Sequence, residues 1–307
     1  VLRECVEKGV TTAVIISAGF GETNEQGCRL ENELVEIARQ GGIRFVGPNS
    51  MGHADTLSHL STLAWAEEMT AGPVALISQS GNYGQQIVRN GMASGIGFSK
   101  FISTGNEADL HLEDYLEYLA QDQDTKVITA YIEGLREGRR FFHLAKETAR
   151  RKPIIVIKAG GTEESARAAR SHTGALAGSD AVYTAAFRQA GVIRVNDDDE
   201  LCDVVTALLN QPLPRNNRVG ILTIGGGPGV IAAEACEKAG LTIAPLASST
   251  IEKLNSYLPS RWSHGNPVDV VGIIARQRGA VFSSLWAVIE DENCLLYTSD
   301  AADEEDS

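Results

Sequence analysis

The chain has 307 residues, a length typical of two domains or three small ones. Its composition, 43% hydrophobic and 22% charged, is that of a folded globular protein and excludes general disorder. A net charge of −13 argues against nucleic acid as a partner, and a mean hydropathy of −0.09 without any apolar run of about 18 residues argues against a membrane-spanning segment.

Short apolar segments alternate with helical segments along the chain. Residues 1–9 are typical of the last turns of a helix that ends at Gly9. The predicted strands that follow are, in order, Thr12–Ser17, Arg44–Val46, Pro73–Ser78, Phe98–Ile102, Val127–Ile132, Pro153–Lys158, Arg218–Ile224 and Leu241–Pro245. The predicted helices between them are Arg29–Gln40, Gly84–Gly91, His111–Gln121, Gly138–Arg151, Ser179–Ala190, Asp198–Asn210 and Gly229–Gly240. Continuous apolar strands separated by such helices predict a doubly wound α/β fold whose parallel sheet is covered on both faces.

Two stretches interrupt this alternation, and both ends of the sequence depart from it. Periodicity fades over Ala54–Gly72, and the Pro- and Asn-rich stretch Asn210–Asn217 precedes a fresh strand, so we interpret both as domain boundaries. Because the sequence opens inside a helix, we expect only part of the first domain. Residues 294–307 (CLLYTSDAADEEDS) resemble a translated sequencing adapter, which predicts a non-native tail, with an acidic disordered tail as the alternative.

Four glycine-bearing loops follow predicted strands and lead towards helices. They are Ser78–Asn82, Ser103–Glu107, Lys158–Thr162 and Gly225–Gly229. In such loops the backbone N–H groups and the dipole of the following helix favour a bound anion, although a tight turn that merely needs glycine is the alternative for any one of them. The last loop lacks the G-x-G-x-x-G spacing, and no Walker motif is present, so neither a nicotinamide dehydrogenase nor a P-loop enzyme is favoured.

One histidine differs in its surroundings from the other five. His172 lies in the run SHTGALAGSD, with small residues on both sides, and this leaves room for a group attached to its ring. Imidazole is a competent nucleophile towards an activated phosphoryl group when an acceptor holds one ring nitrogen, and a carboxylate is the usual acceptor. We therefore predict that His172 carries chemistry.

The run SHTGALAGSD, with YIEG and VGPNSMG upstream, resembles the NDP-forming acyl-CoA synthetases, relatives of the succinyl-CoA synthetase α subunit. The resemblance covers roughly residues 1–293 in the family's order. It implies that phosphate attacks acyl-CoA to give acyl phosphate and CoA. A histidine then takes the phosphoryl group and passes it to ADP in an ATP-grasp module. The net reaction is acyl-CoA + ADP + phosphate ⇌ carboxylic acid + CoA + ATP.

The same resemblance implies domains and site residues. Residues 1–68 would be the C-terminal part of a Rossmann-like CoA-binding domain, 69–212 a flavodoxin-like domain with the phosphohistidine loop, and 213–293 an incomplete second flavodoxin-like domain. His172 would be the phosphorylated residue and Glu133 the glutamate that orients it; a helix-capping acid is the alternative for Glu133. The implied phosphate-binding residues are Ser80, Gly81, Thr104, Gly105 and Asn106. The implied CoA-binding residues are Ile16, Ser17, Ala18, Pro48 and Asn49, the first three by position alone.

The expected ligands and partners follow from the family. CoA and phosphate would bind this chain, whereas ADP or ATP and Mg²⁺ would bind through an ATP-grasp domain or β subunit that this sequence does not contain. We therefore expect no metal site in the chain itself, and we expect an oligomer. Five scattered cysteines and no secretion leader in this segment predict a cytoplasmic protein.

Two other functions remain open from the sequence. Protein-lysine acetyltransferases with a fused GNAT domain contain a similar region that binds acyl-CoA and regulates the enzyme. The presence of both His172 and Glu133 favours phosphoryl chemistry over that role. A module that only binds CoA or another nucleotide is the third reading.

Overall fold

The structure is a computed structural model that describes residues 1–65, 68–161, 179–211, 216–270 and 278–294. His172 and residues 295–307 of the predicted tail lie outside these ranges. The chain divides into two compact units, Val1–Asn210 and Gln211–Ser307. The predicted domain limits at residues 68 and 212 stay predictions.

The first unit contains a small parallel pair of strands near its N-terminal end, in addition to the larger sheet described below. The helices of this unit are α1 (Leu2–Glu7), α2 (Glu25–Gly41), α3 (Gly81–Ala93), α4 (Leu112–Gln121), α5 (Gly138–Thr148), α6 (Asp180–Ala190) and α7 (Asp198–Asn210). Its strands are β1 (Thr12–Val14), β2 (Arg44–Val46), β3 (His53–Asp55), β4 (Leu60–Ser61), β5 (Ala71–Ser78), β6 (Phe98–Ser103), β7 (Val127–Ile132), β8 (Ile154–Lys158) and β9 (Ile193–Val195). β1 pairs with β2, and Ala38 of α2 lies in one buried cluster with Ile43 and with Phe45 of β2.

A seven-stranded sheet forms the centre of this unit, in the order β4-β3-β6-β5-β7-β8-β9. The five strands from β6 to β9 are parallel, which confirms the predicted α/β fold. The stretch predicted as irregular contains the antiparallel strands β3 and β4 at one edge. These strands have only three and two residues, so they carry no apolar run that would reveal them.

Alternation along β5 shows why the sheet is covered on both faces. Val74 and Leu76 lie in one buried cluster, which includes side chains of α3 and α7. Ala75 and Ile77 lie in the other, with side chains of α4, α5 and α6. All four are fully buried, because successive residues of a strand point to opposite faces. In the part of the chain that the structure describes, no helix is long and apolar enough to cross a membrane.

The second unit contains two separate parallel pairs of strands. Its elements are β10 (Arg218–Val219), β11 (Leu222–Thr223), α8 (Gly226–Lys238), β12 (Thr242–Ile243), α9 (Ser248–Tyr257), β13 (Val268–Asp269) and α10 (Arg278–Ile289). β10 pairs with β12 and β11 with β13, so the single strand predicted over 218–224 is wrong. Between β10 and β11, the Ile221 N–H donates to the side chain of Asn266 (2.9 Å), which takes the place of a strand partner. Cys294, the first residue of the predicted tail, is buried in this unit's core.

Candidate active site

A cavity of about 840 Å³ opens where β5, β6 and β7 end. In the sheet, β6 lies on one side of β5 and β7 lies on the other. The helix between β5 and β6 covers one face of the sheet, and the helix between β6 and β7 covers the opposite face. This is the topological switch point of the sheet, the place where ligands bind in open α/β folds. The loop after β1 and the turn after β2 complete its wall.

Most of the predicted site residues line this cavity. They are Ile16, Ala18, Asn49, Ser80, Gly81, Gly105, Asn106 and Glu133. Ser17 and Pro48 lie beside it and brace it: the Ser17 carbonyl accepts from the Asn49 N–H, and the Pro48 carbonyl accepts from the Asn106 N–H (both 2.9 Å). Thr104 is fully buried behind the wall. The structure thus brings together two loops predicted for phosphate and two segments predicted for CoA, while the ligand assigned to each stays a prediction.

The loop after β5 presents the N-terminus of α3 to the cavity. Ser80 caps this helix, because its Oγ accepts from the Tyr83 N–H (3.3 Å), and Ser80, Gly81 and Asn82 line the cavity. A Cβ on Gly81 would lie 2.0 Å from Cγ of Met51. A larger residue at Gly81 would therefore displace Met51 first, and variants at this position are poor reporters of phosphate binding.

The loop after β6 is tied to the turn after β2 and to the loop before α2. Gly105 has a φ of +62°, and a Cβ there would lie 2.1 Å from the Pro48 carbonyl oxygen, so both backbone shape and close approach require glycine. The amide nitrogen of Asn106 donates to Glu22 (2.5 Å) and Glu31 (2.7 Å). Burial would raise the pKa of Glu22, but hydrogen bonds from Asn106 and from backbone N–H groups outweigh it and lower the pKa.

The turn that contains Glu133 is held by two side chains. Oε1 of Gln79 accepts from the N–H groups of Glu133 (2.5 Å) and Gly134 (3.0 Å), and Nε2 of Gln79 donates to the Gly134 carbonyl (2.7 Å). Nζ of Lys158 donates to the Glu133 carbonyl (2.9 Å). All four main-chain polar groups of Glu133 and Gly134 are therefore satisfied by side chains, which fixes the place from which the Glu133 carboxylate projects.

Lys158 lies at the end of β8, next to Glu133 and just before the segment with His172. Its Nζ is 4.5 Å from the centroid of the Tyr183 ring. Burial lowers the pKa of Lys158, with Asp180 and Glu133 acting in the opposite direction and Arg194 adding to the lowering.

Three comparisons with known proteins agree on a family. The family model described as a succinyl-CoA ligase like flavodoxin domain matches residues 71–208. The α subunit of ADP-forming acetate–CoA ligase II from Pyrococcus furiosus is 50% identical over 293 residues, which are 95% of this chain and 63% of that protein. ADP-forming acetate–CoA ligase I from Archaeoglobus fulgidus is 44% identical over 293 residues, 95% of this chain and 42% of that protein. A solved structure of acetyl-coenzyme A synthetase 1 from Ca. Korarchaeum cryptofilum, in complex with phosphate and ADP, superimposes with a TM-score of 0.86 at 36% identity and covers 95% of this chain and 63% of that one.

Over almost its whole length the chain is similar to ADP-forming acetate–CoA ligases, and its residues 71–208 match the succinyl-CoA ligase like flavodoxin domain. The resemblance drawn from SHTGALAGSD, YIEG and VGPNSMG is thereby confirmed. The chain spans less than two thirds of the length of the relatives named above. The names of these relatives contain CoA and ADP, and the Pyrococcus furiosus protein is an α subunit.

Several residues that line the cavity were not predicted as site residues, among them Gln79, Glu107 and Arg136. Gln79 and Glu107 belong to the two loops expected to bind phosphate, and Arg136 follows the YIEG motif. Position within a loop is the only sequence signal that would have pointed to them. What they touch depends on strands far away in the chain: Gln79 and Glu133, for example, are 54 residues apart.

Replacing Gln79 by Met should slow the predicted phosphorylation of His172 by about 10²-fold, because a small displacement of a catalytic group has an effect of this size. The variant keeps the length of the side chain but leaves the N–H groups of Glu133 and Gly134 without their acceptor. Single-turnover labelling with [³²P]phosphate and acyl-CoA measures the rate. The matched control is Gln86→Met, on the helix α3 that follows Gln79, which loses an exposed hydrogen bond to Asp198 (3.0 Å). Equal rates for the two variants would contradict the positioning role.

Proposed function

We propose that this chain, within a complete enzyme, converts acyl-CoA and phosphate to acyl phosphate and CoA, and that His172 then takes the phosphoryl group. An ATP-grasp domain or partner subunit passes this group to ADP. The complete enzyme is an ADP-forming acid–thiol ligase, and the cavity at the ends of β5, β6 and β7 is where the thioester reacts. Acetyl-CoA is the first substrate to test, because the relatives named above are acetate–CoA ligases.

The observation that carries this proposal is the position of Glu133. It lies at the end of β7, in the wall of a cavity that it shares with the N-terminus of α3 and with the loop after β6. A carboxylate held rigidly there by Gln79 and Lys158 can accept the ring N–H of a histidine and stabilise its positive charge after phosphorylation. Helix α3, capped by Ser80, directs its positive end at an anion in the same space.

The remaining wall fits a CoA thioester. The segment Ile16–Ala18 is exposed at the rim, and Asn49 lies at the turn after β2, beside the phosphate-type loops. We assign CoA to Ile16, Ser17, Ala18, Pro48 and Asn49. We assign phosphate to Ser80, Gly81, Thr104, Gly105 and Asn106. The side-chain amide and the backbone N–H of Asn106 both already have protein partners, so Asn106 contributes by shaping the wall of the phosphate site rather than by donating to the anion.

Isotope transfer in the full-length enzyme with its partner tests the proposal. Acetyl-CoA and [³²P]phosphate without ADP should give acid-labile, alkali-stable label on the chain together with free CoA. Addition of ADP should then move the label to ATP, which requires Mg²⁺ and the nucleotide-binding module. Binding of CoA without any label would contradict the proposal and favour a module that only binds or senses acyl-CoA.

A further inference from the structure

Glu107 is a buried acid that the reaction as proposed above does not use. It follows Gly105 and Asn106 in the loop after β6 and has a φ of +56°, a backbone conformation that is uncommon for a residue other than glycine. Its side chain lines the cavity at the ends of β5, β6 and β7, yet the residue is only 3% exposed. The unusual backbone conformation thus belongs to a loop that places a carboxyl group inside the wall of the candidate site.

The carboxyl group of Glu107 is incompletely satisfied by the protein. Among the residues that the structure describes, its Oε1 has no hydrogen bond of regular geometry, although the side chains of Thr104 and Gln79 lie close enough to the carboxyl group to lower its pKa. A buried polar atom without a partner is costly, so such atoms are rare unless a ligand or a function uses them. Because Glu107 lines the cavity, a ligand bound there is the partner that this carboxyl group can still gain.

Charged groups reach Glu107 from each side. Glu113 and Tyr115 come from α4, Arg136 comes from the segment after β7, and Glu133 lines the same cavity. The pKa of the Glu107 carboxyl is raised to about 7, chiefly by burial and also by the charge of Glu113. Hydrogen bonds from Gln79 and Thr104 and the charge of Arg136 act in the opposite direction. A carboxyl group with its pKa raised in this way holds a proton more readily than an ordinary glutamate, which suits a group that accepts a proton and returns it.

The first step of the proposed reaction requires a proton to move. Monohydrogen phosphate forms a C–O bond to the thioester carbonyl carbon, and its hydroxyl proton must leave. The C–S bond breaks, and the CoA thiolate that departs must gain a proton to become a thiol. One carboxylate in the wall of the cavity can serve both needs without any further reactant.

We propose that Glu107 carries this proton. As carboxylate it accepts the proton from the attacking phosphate oxygen while the C–O bond forms, and as carboxylic acid it returns the proton to the CoA sulfur while the C–S bond breaks. Glu107 ends the step ionised, so atoms and charge balance. This inference rests on the proposed function and adds a catalytic residue to its first step.

Glu107→Gln separates the two steps of the relay. In the full-length enzyme with its partner, release of CoA from acetyl-CoA and phosphate should slow by about 10²–10⁴-fold, the range typical of lost acid–base catalysis. Labelling of His172 from [γ-³²P]ATP does not involve the thioester and should stay within about twofold of wild type. An unchanged rate of CoA release in Glu107→Gln overturns the inference, and so does an equal loss in both assays.

Glu113→Gln is the matched control, with the same chemical change in a neighbouring buried acid that does not line the cavity. Oε1 of Glu113 accepts from the Glu137 N–H (3.0 Å), and an amide oxygen at the same place can do so too. This variant should retain the maximal rate of CoA release. The rate should, however, begin to rise at a lower pH than in wild type, because the negative charge of Glu113 no longer raises the pKa of Glu107.

The pH dependence of CoA release in wild type and in Glu113→Gln tests the role of Glu107 even if Glu107→Gln folds poorly. Ionisation of inorganic phosphate is common to all variants, so a difference between Glu113→Gln and wild type reports the protein carboxyl. Identical profiles would overturn the role of Glu107. Failure of the proposed function looks different, because wild-type enzyme would then release no CoA in a phosphate-dependent manner.

Discussion

Glu133→Gln should slow phosphorylation of His172 by about 10²–10⁴-fold in the complete enzyme, the size expected when a group that orients and stabilises the nucleophile is lost. Glutamine has the same shape, and the turn that carries it stays bound to Gln79 and Lys158 through main-chain atoms. The fold should therefore be unaffected, and only the charge that stabilises the phosphorylated imidazole is removed. The labelling rate with acetyl-CoA and [³²P]phosphate measures the effect.

His172→Asn is the negative control for the same labelling assay. It should abolish the label while leaving the affinity for CoA nearly unchanged, because the segments assigned to CoA lie in other parts of the chain. Full activity of this variant would refute the phosphohistidine relay. If Glu133→Gln labels at the wild-type rate while His172→Asn does not label, the relay stands, and Glu133 is only a structural acid at the end of β7.

Lys100→Met should lower the free energy of unfolding by about 3–5 kcal/mol at neutral pH, the cost of removing one partner from a buried ion pair. Lys100 lies on β6 and is 4% exposed; its Nζ is 2.9 Å from Asp122 and 3.5 Å from Asp55. Burial would lower the pKa of Lys100, but the two carboxylates outweigh it and raise the pKa. Without the lysine, both acids would be left partly buried and unpaired.

The pH dependence of this loss has a definite sign. Burial would raise the pKa of Asp122, but its hydrogen bonds to Thr125 and Lys100 and the lysine charge lower it; the pKa of Asp55 is also lowered. The two aspartates therefore contribute to the free energy of unfolding above the ordinary aspartate pKa of 3.8. This contribution is lost as the pH falls through their lowered pKa values in the folded state. Urea unfolding at pH 7 and below pH 4 should show the difference between wild type and Lys100→Met shrink with acid.

A surface lysine provides the comparison for this prediction. Lys126→Met changes the same side chain at an exposed position beside β7 and should alter the free energy of unfolding by about 0.5 kcal/mol or less. If Lys100→Met costs no more than that, the pair contributes no net stability, as some buried ion pairs do not.

The central strands were predictable because both of their faces are buried. Predictions for Val127–Ile132 and Pro153–Lys158 agree with β7 and β8 almost to the residue, since such strands are continuous apolar runs. The edge strand β9 was not predicted because Arg194 interrupts its apolar residues. This arginine forms an ion pair with Asp180 (2.6 Å) on the preceding helix. The prediction for 218–224 failed because a side chain, Asn266, replaces a strand there.

The site was predictable in place but not in detail. Glycine-bearing loops after parallel strands locate the cavity, and a family resemblance singles out Glu133. Neither could show that Gln79 binds the turn of Glu133, or that the backbone of Glu107 turns its carboxyl inwards. Those features depend on which loops the sheet order places side by side, and that order is a tertiary property.

The shortness of the outermost strands has a consequence for solubility. An open sheet edge is a template on which a second molecule can add a strand, and long flat edges promote aggregation. In the portion of the chain with defined placement, the eight-residue β5 lies inside the sheet, whereas the edges are formed by β4 and β9 with two and three residues. Edges this short offer an incoming strand few hydrogen bonds, which protects a sheet with a strongly apolar interior from pairing between molecules.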